Sequence, residues 1–217
     1  MGISENIKNL QQQLQKDVTL VAVSKTKPIE DLLEAYTSGQ RVFGENKIQE
    51  MADKWEALPK DISWHMIGHV QTNKVKYMAS FVSLIHGVDS MKLLKEINKQ
   101  AAKHDRIISC LLQIKIAKED SKFGLSEADA TTILHSEELK ELKSIKIEGF
   151  MGMATFTNDE AQLENEFKKL QIFFDSHKNN AQLKTISMGM SGDYKVAIAS
   201  GSNMVRVGSA IFGERNY

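Results

Sequence analysis

The chain has 217 residues and a formal net charge of +0, since 28 lysines and arginines balance 28 aspartates and glutamates, and this argues against a surface that binds nucleic acid as a whole. Hydrophobic residues form 41% of the chain, as in ordinary globular proteins, and no run approaches the roughly 18 apolar residues of a membrane span. The single cysteine, Cys110, excludes an intrachain disulfide and favours a reducing compartment.

The first predicted elements are a helix, a strand and a second helix. Apolar residues recur at helical spacing over about Ile3–Gln15. This segment lacks the apolar core of a signal peptide, so we predict a cytoplasmic protein. Val18–Ser24 is rich in β-branched residues and is predicted to be a buried strand. Pro28 then opens a helix that ends at Gly39.

The same alternation continues to the C-terminus. Further strand-like runs are Arg41–Gly44, Trp64–Gly68, Phe81–Ile85, Ile108–Ile116, Ile145–Met153, Thr185–Gly189 and Met204–Gly208. Helix-like stretches are Ile48–Glu56, Asn73–Ala79, Lys92–Lys103, Glu127–His135, Glu160–Ser176 and Tyr194–Ala199, and a short turn, Ser209–Phe212, follows the last strand.

This repeat predicts a barrel. With eight strands, the chain has roughly 27 residues per βα unit, which favours an α/β fold of the (β/α)8 TIM barrel type with an extra N-terminal helix. A doubly wound open sheet is the alternative that strand counting leaves open. Because proline occurs only at Pro28 and Pro59 and no Ser/Gly linker divides the chain, we predict a single domain over residues 1–217. In such a barrel, chemistry occurs where strands end and βα loops begin.

Lys25 is the first candidate for that chemistry. It directly follows the first strand and shares a period-two face with Val23, Val21 and Thr19. If that face is the barrel interior, the amine emerges at the mouth of the pore, where apolar and cationic surroundings favour its neutral, nucleophilic form. The alternative is a solvated loop lysine.

Arg206 is the second candidate. It interrupts the apolar strand Met204–Gly208 and shares a face with Met204. A guanidinium in that position must be paired or must face a cavity. We therefore predict a functional role, with a structural ion pair in the barrel as the alternative.

A phosphate site is predicted after the last two strands. Gly208 and Ser209 open the short final turn, where backbone N–H groups suit an anion, and Ser187 and Ser191 belong to the neighbouring loop region. The loops after the seventh and eighth strands often bind phosphate in barrels. Glycine and serine are also common in any turn, so each residue alone is a weak signal.

Polar residues also follow the second and third strands. Asn46 and His69 could contact a ligand ring, although Asn46 could equally cap the next helix. We interpret His65 as a core histidine whose hydrogen bonds are satisfied. The six histidines show no metal-ligand spacing, so we predict no metal site.

Several motifs together resemble the pyridoxal phosphate homeostasis protein family. They run in order along nearly the whole chain: Ala22–Thr26, Phe43–Asn46, Trp64–Gly68, Gln71–Lys74, Ser187–Ser191 and Val205–Gly213. The resemblance implies a single-domain barrel of the alanine-racemase-like type that binds pyridoxal 5′-phosphate (PLP).

The resemblance also implies roles for individual residues. It makes Lys25 the Schiff-base lysine and Arg206 the partner of the pyridine nitrogen. Ser187, Gly208 and Ser209 match phosphate-binding positions, and Ser191 and Asn46 are further cofactor-binding candidates. His69 stands where the family often has a smaller residue or proline, so the resemblance gives it no role.

We hypothesise that the chain buffers or delivers PLP and is not an enzyme. A permanently cationic arginine disfavours protonation of the pyridine nitrogen and makes the cofactor a poorer electron sink. The sequence also ends after the eighth unit, whereas racemases of this type add a second domain, so we expect an open cofactor site. We further expect a monomer, with apo forms of PLP-dependent enzymes as candidate recipients, and no nucleic-acid or membrane partner.

Two enzymatic alternatives stay open at this point. One is a minimal PLP-dependent racemase, which would need a second acid/base group that the sequence does not reveal. The other is a Schiff-base aldolase for sugar phosphates, which would use a lysine on a middle strand. Lys115 and Lys146 are poorly placed for that role, because one lies mid-run and the other at the start of its run.

Overall fold

The computed structural model describes residues 2–118 and 123–214 of the chain. Its strands are β1 (Thr19–Val23), β2 (Val42–Glu45), β3 (Ser63–Met66), β4 (Leu84–Val88), β5 (Ile108–Ile114), β6 (Ile145–Gly152), β7 (Thr185–Met190) and β8 (Met204–Val207). The helices in these ranges are α1 (Ile3–Gln13), α2 (Ile29–Thr37), α3 (Ile48–Ala57), α4 (Met91–Ala102), α5 (Glu127–His135), α6 (Glu137–Glu141), α7 (Glu160–His177), α8 (Tyr194–Ala199) and α9 (Ser209–Phe212), with a 3₁₀ helix at Thr72–Tyr77.

The eight strands form a closed parallel barrel in sequence order. β1 pairs with β8 to complete it, with Val21 opposite Arg206. The predicted (β/α)8 barrel with an extra N-terminal helix is therefore confirmed, and the open doubly wound sheet is wrong. Closure brings the carboxyl ends of all eight strands to one rim.

The fourth strand differs from the prediction. β4 begins at Leu84 rather than at Phe81 and continues to Val88. Phe81 is instead buried before the strand, where its ring stacks on Trp55 with centroids 4.5 Å apart. A run of apolar residues can thus be buried without belonging to the sheet. The shift matters for function, because it places His86 inside the strand.

Apolar side chains fill the lower barrel. Val21, Leu84, Leu111, Met151 and Met204 form a separate cluster, which is packed on its edge by partly buried residues. Full burial of each such side chain contributes about 1.5–3 kcal/mol relative to exposure. This layer of packed side chains closes the barrel interior below the carboxyl rim.

Outside the barrel, a larger apolar cluster lies between the strands and the helices; it includes Phe43, Trp64 and Phe150. None of the helices within residues 2–118 and 123–214 is both long and apolar enough to cross a bilayer.

Candidate functional site

A cavity of about 680 Å³ opens at the carboxyl rim of the barrel. We call it the mouth cavity. Its wall combines loop residues from most of the βα units and includes Val23, Lys25, Lys27, Asn46, Ile67, Gly68, His69, Gln113, Phe123, Met153, Thr155, Asn158, Ser191, Gly192, Asp193, Arg206, Gly208 and Ser209. Six of the seven residues predicted to bind a cofactor thus line this one cavity, and Ser187 is the exception.

Lys25 lies in the turn after β1. Val23 and Lys25 both line the mouth cavity, and Val21, two residues earlier, belongs to the interior apolar cluster. The predicted face of β1 is therefore the barrel interior. Ser24 points to the opposite side, where it is buried and its Oγ donates a 2.6 Å hydrogen bond to Glu45.

The turn that carries Lys25 is held by residues that the sequence analysis missed. Lys54, buried on α3, donates hydrogen bonds to the Ser24 carbonyl at 2.7 Å, to Glu45 at 2.8 Å and to Glu50 at 2.7 Å. Glu50 also accepts the N–H of Thr26 at 2.6 Å. Burial raises the pKa of Glu45 more strongly than the charge of Lys54 lowers it.

This support is needed because the turn is strained. Thr26 has a φ of 64°, in the left-handed region that β-branched residues rarely adopt. Such a conformation costs on the order of 1–3 kcal/mol and persists only where neighbours enforce it. Lys27 adds a second anchor, since its Nζ donates a 2.8 Å hydrogen bond to the carbonyl of Phe212 at the end of α9.

Arg206 is buried in the barrel wall with its guanidinium tied to two strands. Its Nη1 donates to the carbonyl and to the hydroxyl of Ser187, at 2.9 and 2.6 Å, and Nη2 donates to the carbonyl of Gly152 at 3.0 Å. Burial lowers the pKa of Arg206 to about 10, and nearby Asp193 opposes that shift. Arg206 therefore stays cationic at neutral pH.

Two of the five N–H groups of a guanidinium are left over at Arg206. Among the residues that the structure describes, none accepts from Nε or from the second proton of Nη2. Because buried donors are almost always satisfied, and Arg206 lines the cavity, these two groups suit an acceptor on a ligand.

Ser187 and two histidines lie behind Arg206. Ser187 is fully buried and is not part of the cavity wall. His86 contacts it, with Nδ1 3.1 Å from the Ser187 hydroxyl, and His65 Nδ1 lies 3.0 Å from His86 Nε2. His65 is therefore a core histidine, as interpreted, with a hydrogen-bond partner at Nδ1. The expected direct contact of Ser187 with phosphate does not match its position, because the hydroxyl is used on Arg206.

The loops after β7 and β8 are joined by a hydrogen bond. The Ser191 hydroxyl accepts the N–H of Gly208 at 3.0 Å. A Cβ on Gly208 would lie 3.3 Å from the carbonyl oxygen of Val23, so this backbone passes close to β1. Ser191, Gly208 and Ser209 all line the cavity that Lys25 and Arg206 also line, and the two serines bring hydroxyl groups to it.

Asn46 has a buried polar atom without a hydrogen-bond partner among the described residues. This atom is Oδ1, and the side chain does not cap α3, which has Lys47 at its N-cap position. Gly68 allows the close approach here, because a Cβ would lie only 2.6 Å from the Asn46 carbonyl oxygen. A ligand in the cavity could supply the missing donor.

His69 lies on another part of the cavity wall. Its Nδ1 is 3.4 Å from a carboxylate oxygen of Asp89, and its ring stacks on Phe123 with centroids 5.7 Å apart. In the parts of the chain that the structure describes, no group of three or more histidine, cysteine or acidic residues could hold a metal ion.

Comparisons with known proteins give a consistent family assignment. The family model "Alanine racemase, N-terminal domain" matches residues 2–216. A pyridoxal phosphate homeostasis protein of Haemophilus influenzae is 36% identical over 100% of this chain and 98% of that protein. One of Aquifex aeolicus is 38% identical over 91% of this chain and 87% of that protein. Both relatives are thus named as homeostasis proteins rather than as enzymes.

Solved structures agree with the sequence relatives. PipY of Synechococcus elongatus, solved without PLP, superposes with a TM-score of 0.91 at 34% identity and covers 97% of this chain and 100% of its own. The same protein with PLP bound gives a TM-score of 0.88 at 33% identity, with the same coverage. An alanine racemase of Clostridium difficile, 15% identical and 60% covered, has a TM-score of 0.79 and shares the fold.

Proposed function

Because this chain belongs to the pyridoxal phosphate homeostasis protein family, we propose that it binds PLP in the mouth cavity and buffers or delivers it as part of intracellular PLP homeostasis. The observation that carries the proposal is the convergence of Lys25 and of the two leftover N–H groups of Arg206 on one cavity. These groups match the two ends of a pyridine aldehyde.

The residues fit the cofactor at each of its polar parts. PLP supplies an aldehyde that condenses with a primary amine and releases water, which leaves a Schiff base. Lys25 provides the amine, and the strained turn braced by Glu50 and Lys54 holds it at the rim. Arg206 donates to the pyridine nitrogen and, as a cation, keeps that nitrogen unprotonated.

The phosphate is assigned to the loops after β7 and β8. Ser191, Gly208 and Ser209 line this part of the cavity, and Ser209 begins α9. The buried Oδ1 of Asn46, which has no partner among the described residues, is an acceptor and therefore suits the ring hydroxyl of PLP rather than its phosphate. Ser187 acts indirectly, since its hydroxyl and carbonyl fix the guanidinium of Arg206.

A binding role is favoured over turnover. The racemase alternative requires acid/base groups on both faces of the ring. A pyridine nitrogen held unprotonated by Arg206 also makes PLP a poorer electron sink for a carbanion, which weakens this alternative without abolishing it. We also propose one barrel domain over residues 1–217 and a cytoplasmic location, from the composition and pattern of the sequence. A monomeric state and transfer of PLP to apo enzymes rest on the family resemblance, and all four stay predictions.

An absorbance titration tests the proposal. The wild-type protein mixed with PLP develops a Schiff-base absorbance band, and Lys25→Ala abolishes it. Lys168→Ala serves as the matched control, because Lys168 is an exposed lysine on α7 that pairs with Glu164. A band that persists in Lys25→Ala, or that Lys168→Ala removes equally, contradicts the proposal.

A further inference from the structure

A chain of buried hydrogen bonds runs from Arg206 into the barrel through Ser187, His86 and His65. We propose that His86 is a positioning residue for the cofactor, because it fixes Arg206 through Ser187. In this hydrogen-bond series each residue donates to the next, from Arg206 to Ser187, His86 and His65. The functional part of this inference rests on the proposed binding of PLP.

The direction follows from donor chemistry. A guanidinium carries donors and no acceptor, so the Ser187 hydroxyl must accept from Arg206 at 2.6 Å. The oxygen could also accept from a protonated His86 Nδ1, but the hydroxyl proton would then have no acceptor, because no other described residue is a hydrogen-bond partner of Ser187 Oγ. With Nδ1 unprotonated, 3.1 Å away, the hydroxyl donates to it and all its hydrogen bonds are made. A neutral His86 therefore carries its proton on Nε2.

The same reasoning extends to the second histidine. The Nε2–H of His86 points its proton at His65 Nδ1, 3.0 Å away, so that nitrogen is the acceptor. His65 in turn carries its proton on Nε2. Both imidazoles are thus assigned to the same tautomer. The assignment starts from Arg206, because its guanidinium can donate hydrogen bonds but cannot accept one.

Burial keeps both rings neutral. The pKa of His86 lies well below the ordinary value, first because of desolvation and then because of the neighbouring His65 and Arg206. Desolvation lowers the pKa of His65 to about 3. The charged side chain that acts on the pKa of His86 is Arg206, and Asp193 in turn acts on the pKa of Arg206. A protonated His86 would set a second donor against the Ser187 hydroxyl and would place two cations side by side.

The consequence for the site is that three hydrogen bonds fix the orientation of the Arg206 guanidinium. Both Nη1 protons are used on Ser187 and one Nη2 proton on Gly152. The hydroxyl of Ser187 keeps its lone pairs toward Arg206 only while its proton has an acceptor behind it. Without His86 Nδ1, the hydroxyl can rotate its proton toward Arg206, which then loses one of its three acceptors. The carbonyls of Ser187 and Gly152 remain, so the two leftover N–H groups are held less firmly.

The first test reads the tautomers directly in the ligand-free protein. Nitrogen-15 NMR of the histidine side chains is expected to show His86 and His65 as neutral rings protonated at Nε2. This state should persist across about pH 5 to 8, the range in which an ordinary histidine titrates. A His86 protonated at Nδ1, or titrating with an ordinary pKa, overturns the inference.

The second test asks whether the hydrogen bonds from Arg206 through Ser187 to His86 affect PLP binding. His86→Leu removes both ring nitrogens, whereas His86→Asn keeps an acceptor near the position of Nδ1. We expect His86→Leu and Ser187→Ala to weaken PLP binding by about tenfold, and His86→Asn to recover most of that loss. His65→Leu, one step further from Arg206, should have a smaller effect. The Schiff-base band should also change its pH profile in His86→Leu but not in His86→Asn.

The outcomes separate the two proposals. Wild-type protein that binds no PLP contradicts the proposed function, while the tautomer measurement still decides the hydrogen-bond direction. Wild-type protein that binds PLP, with His86→Leu and Ser187→Ala equal to it in affinity and pH profile, overturns the positioning role alone. If His86→Leu does not fold, Ser187→Ala, which removes the hydroxyl that His86 acts through, decides the positioning role by its PLP affinity. The tautomers of the wild-type protein decide the hydrogen-bond direction in either case.

Discussion

Lys54 donates a 2.7 Å hydrogen bond to the carbonyl oxygen of Ser24, the residue directly before Lys25. A buried ammonium on α3 is thereby coupled to the backbone of the functional turn. The same ammonium contacts Glu45, whose other carboxylate oxygen is buried without a partner among the described residues. The turn after β1 thus depends on an ion cluster behind it.

Removal of Lys54 should therefore affect both stability and the site. Lys54→Met leaves the Glu45 carboxylate buried and unpaired, which is expected to lower the free energy of unfolding by about 3–5 kcal/mol at neutral pH. Urea unfolding measures this loss. Addition of Glu45→Gln to Lys54→Met should recover part of it, and Lys168→Met on the surface should change little. A Lys54→Met variant as stable as wild type would show that the cluster is not a support.

The buried histidines predict an acid-labile fold. The pKa of His65 falls from 6.5 to about 3 on folding, so the unfolded chain binds more protons than the native one between these values. The free energy of unfolding should therefore be highest above pH 6.5 and should decrease as pH falls toward 3.

Urea midpoints measured across that pH range test this assignment. His65→Gln cannot be protonated and should show a shallower pH dependence than wild type. Exposed His104→Gln is the control and should keep the wild-type slope. Equal slopes for wild type and His65→Gln would contradict the assignment.

Two glycines on the cavity wall offer a matched comparison. A Cβ on Gly68 would lie 2.6 Å from the carbonyl oxygen and 2.8 Å from the Cα of Asn46, and this backbone cannot yield without moving the site. A Cβ on Gly192 would meet no atom within 4 Å. Gly68→Ala is therefore expected to cost about 1–3 kcal/mol in stability and to weaken PLP binding, while Gly192→Ala costs little.

Thermal unfolding and PLP titration of both variants provide the measurement. Equal effects of Gly68→Ala and Gly192→Ala on stability and binding would show that the close approach of Gly68, in the loop after β3, to Asn46 does not shape the cavity.

Asn46 should contribute to binding and not to folding. Its buried Oδ1 makes no hydrogen bond among the described residues, so Asn46→Ala removes no internal partner. The ligand-free protein is expected to keep its stability, and PLP affinity is expected to fall by about five- to tenfold. Loss of stability with unchanged affinity would reverse this assignment.

The fold was largely predictable because its pattern repeats. Each βα unit shows an apolar run before an amphipathic stretch, and the barrel rule then places Lys25 and Arg206 at the rim. The predicted bounds of the fourth strand were wrong because Phe81 and Val82 are as apolar as strand residues, yet they pack in the connection before β4. That error ended the predicted strand at Ile85 and left His86 outside it.

The supporting residues of the site were harder to predict. Lys54 lies on an amphipathic helix, where a charged residue usually faces water, and its partner Glu45 comes from a different element. His86 could have been found from alternation, since Leu84, two residues earlier, belongs to the barrel interior. The commitment of Ser187 to Arg206 depends on the pairing of β7 with β8, which only the folded barrel fixes.

The most direct test of the central claim is chemical trapping of the bound cofactor. Wild-type protein saturated with PLP is reduced with borohydride, digested and mapped by mass spectrometry. The account predicts one reduced pyridoxyl group per chain, on the peptide that contains Lys25, and its loss in Lys25→Ala. Modification of Lys27 or of surface lysines such as Lys168 instead of Lys25 would contradict it.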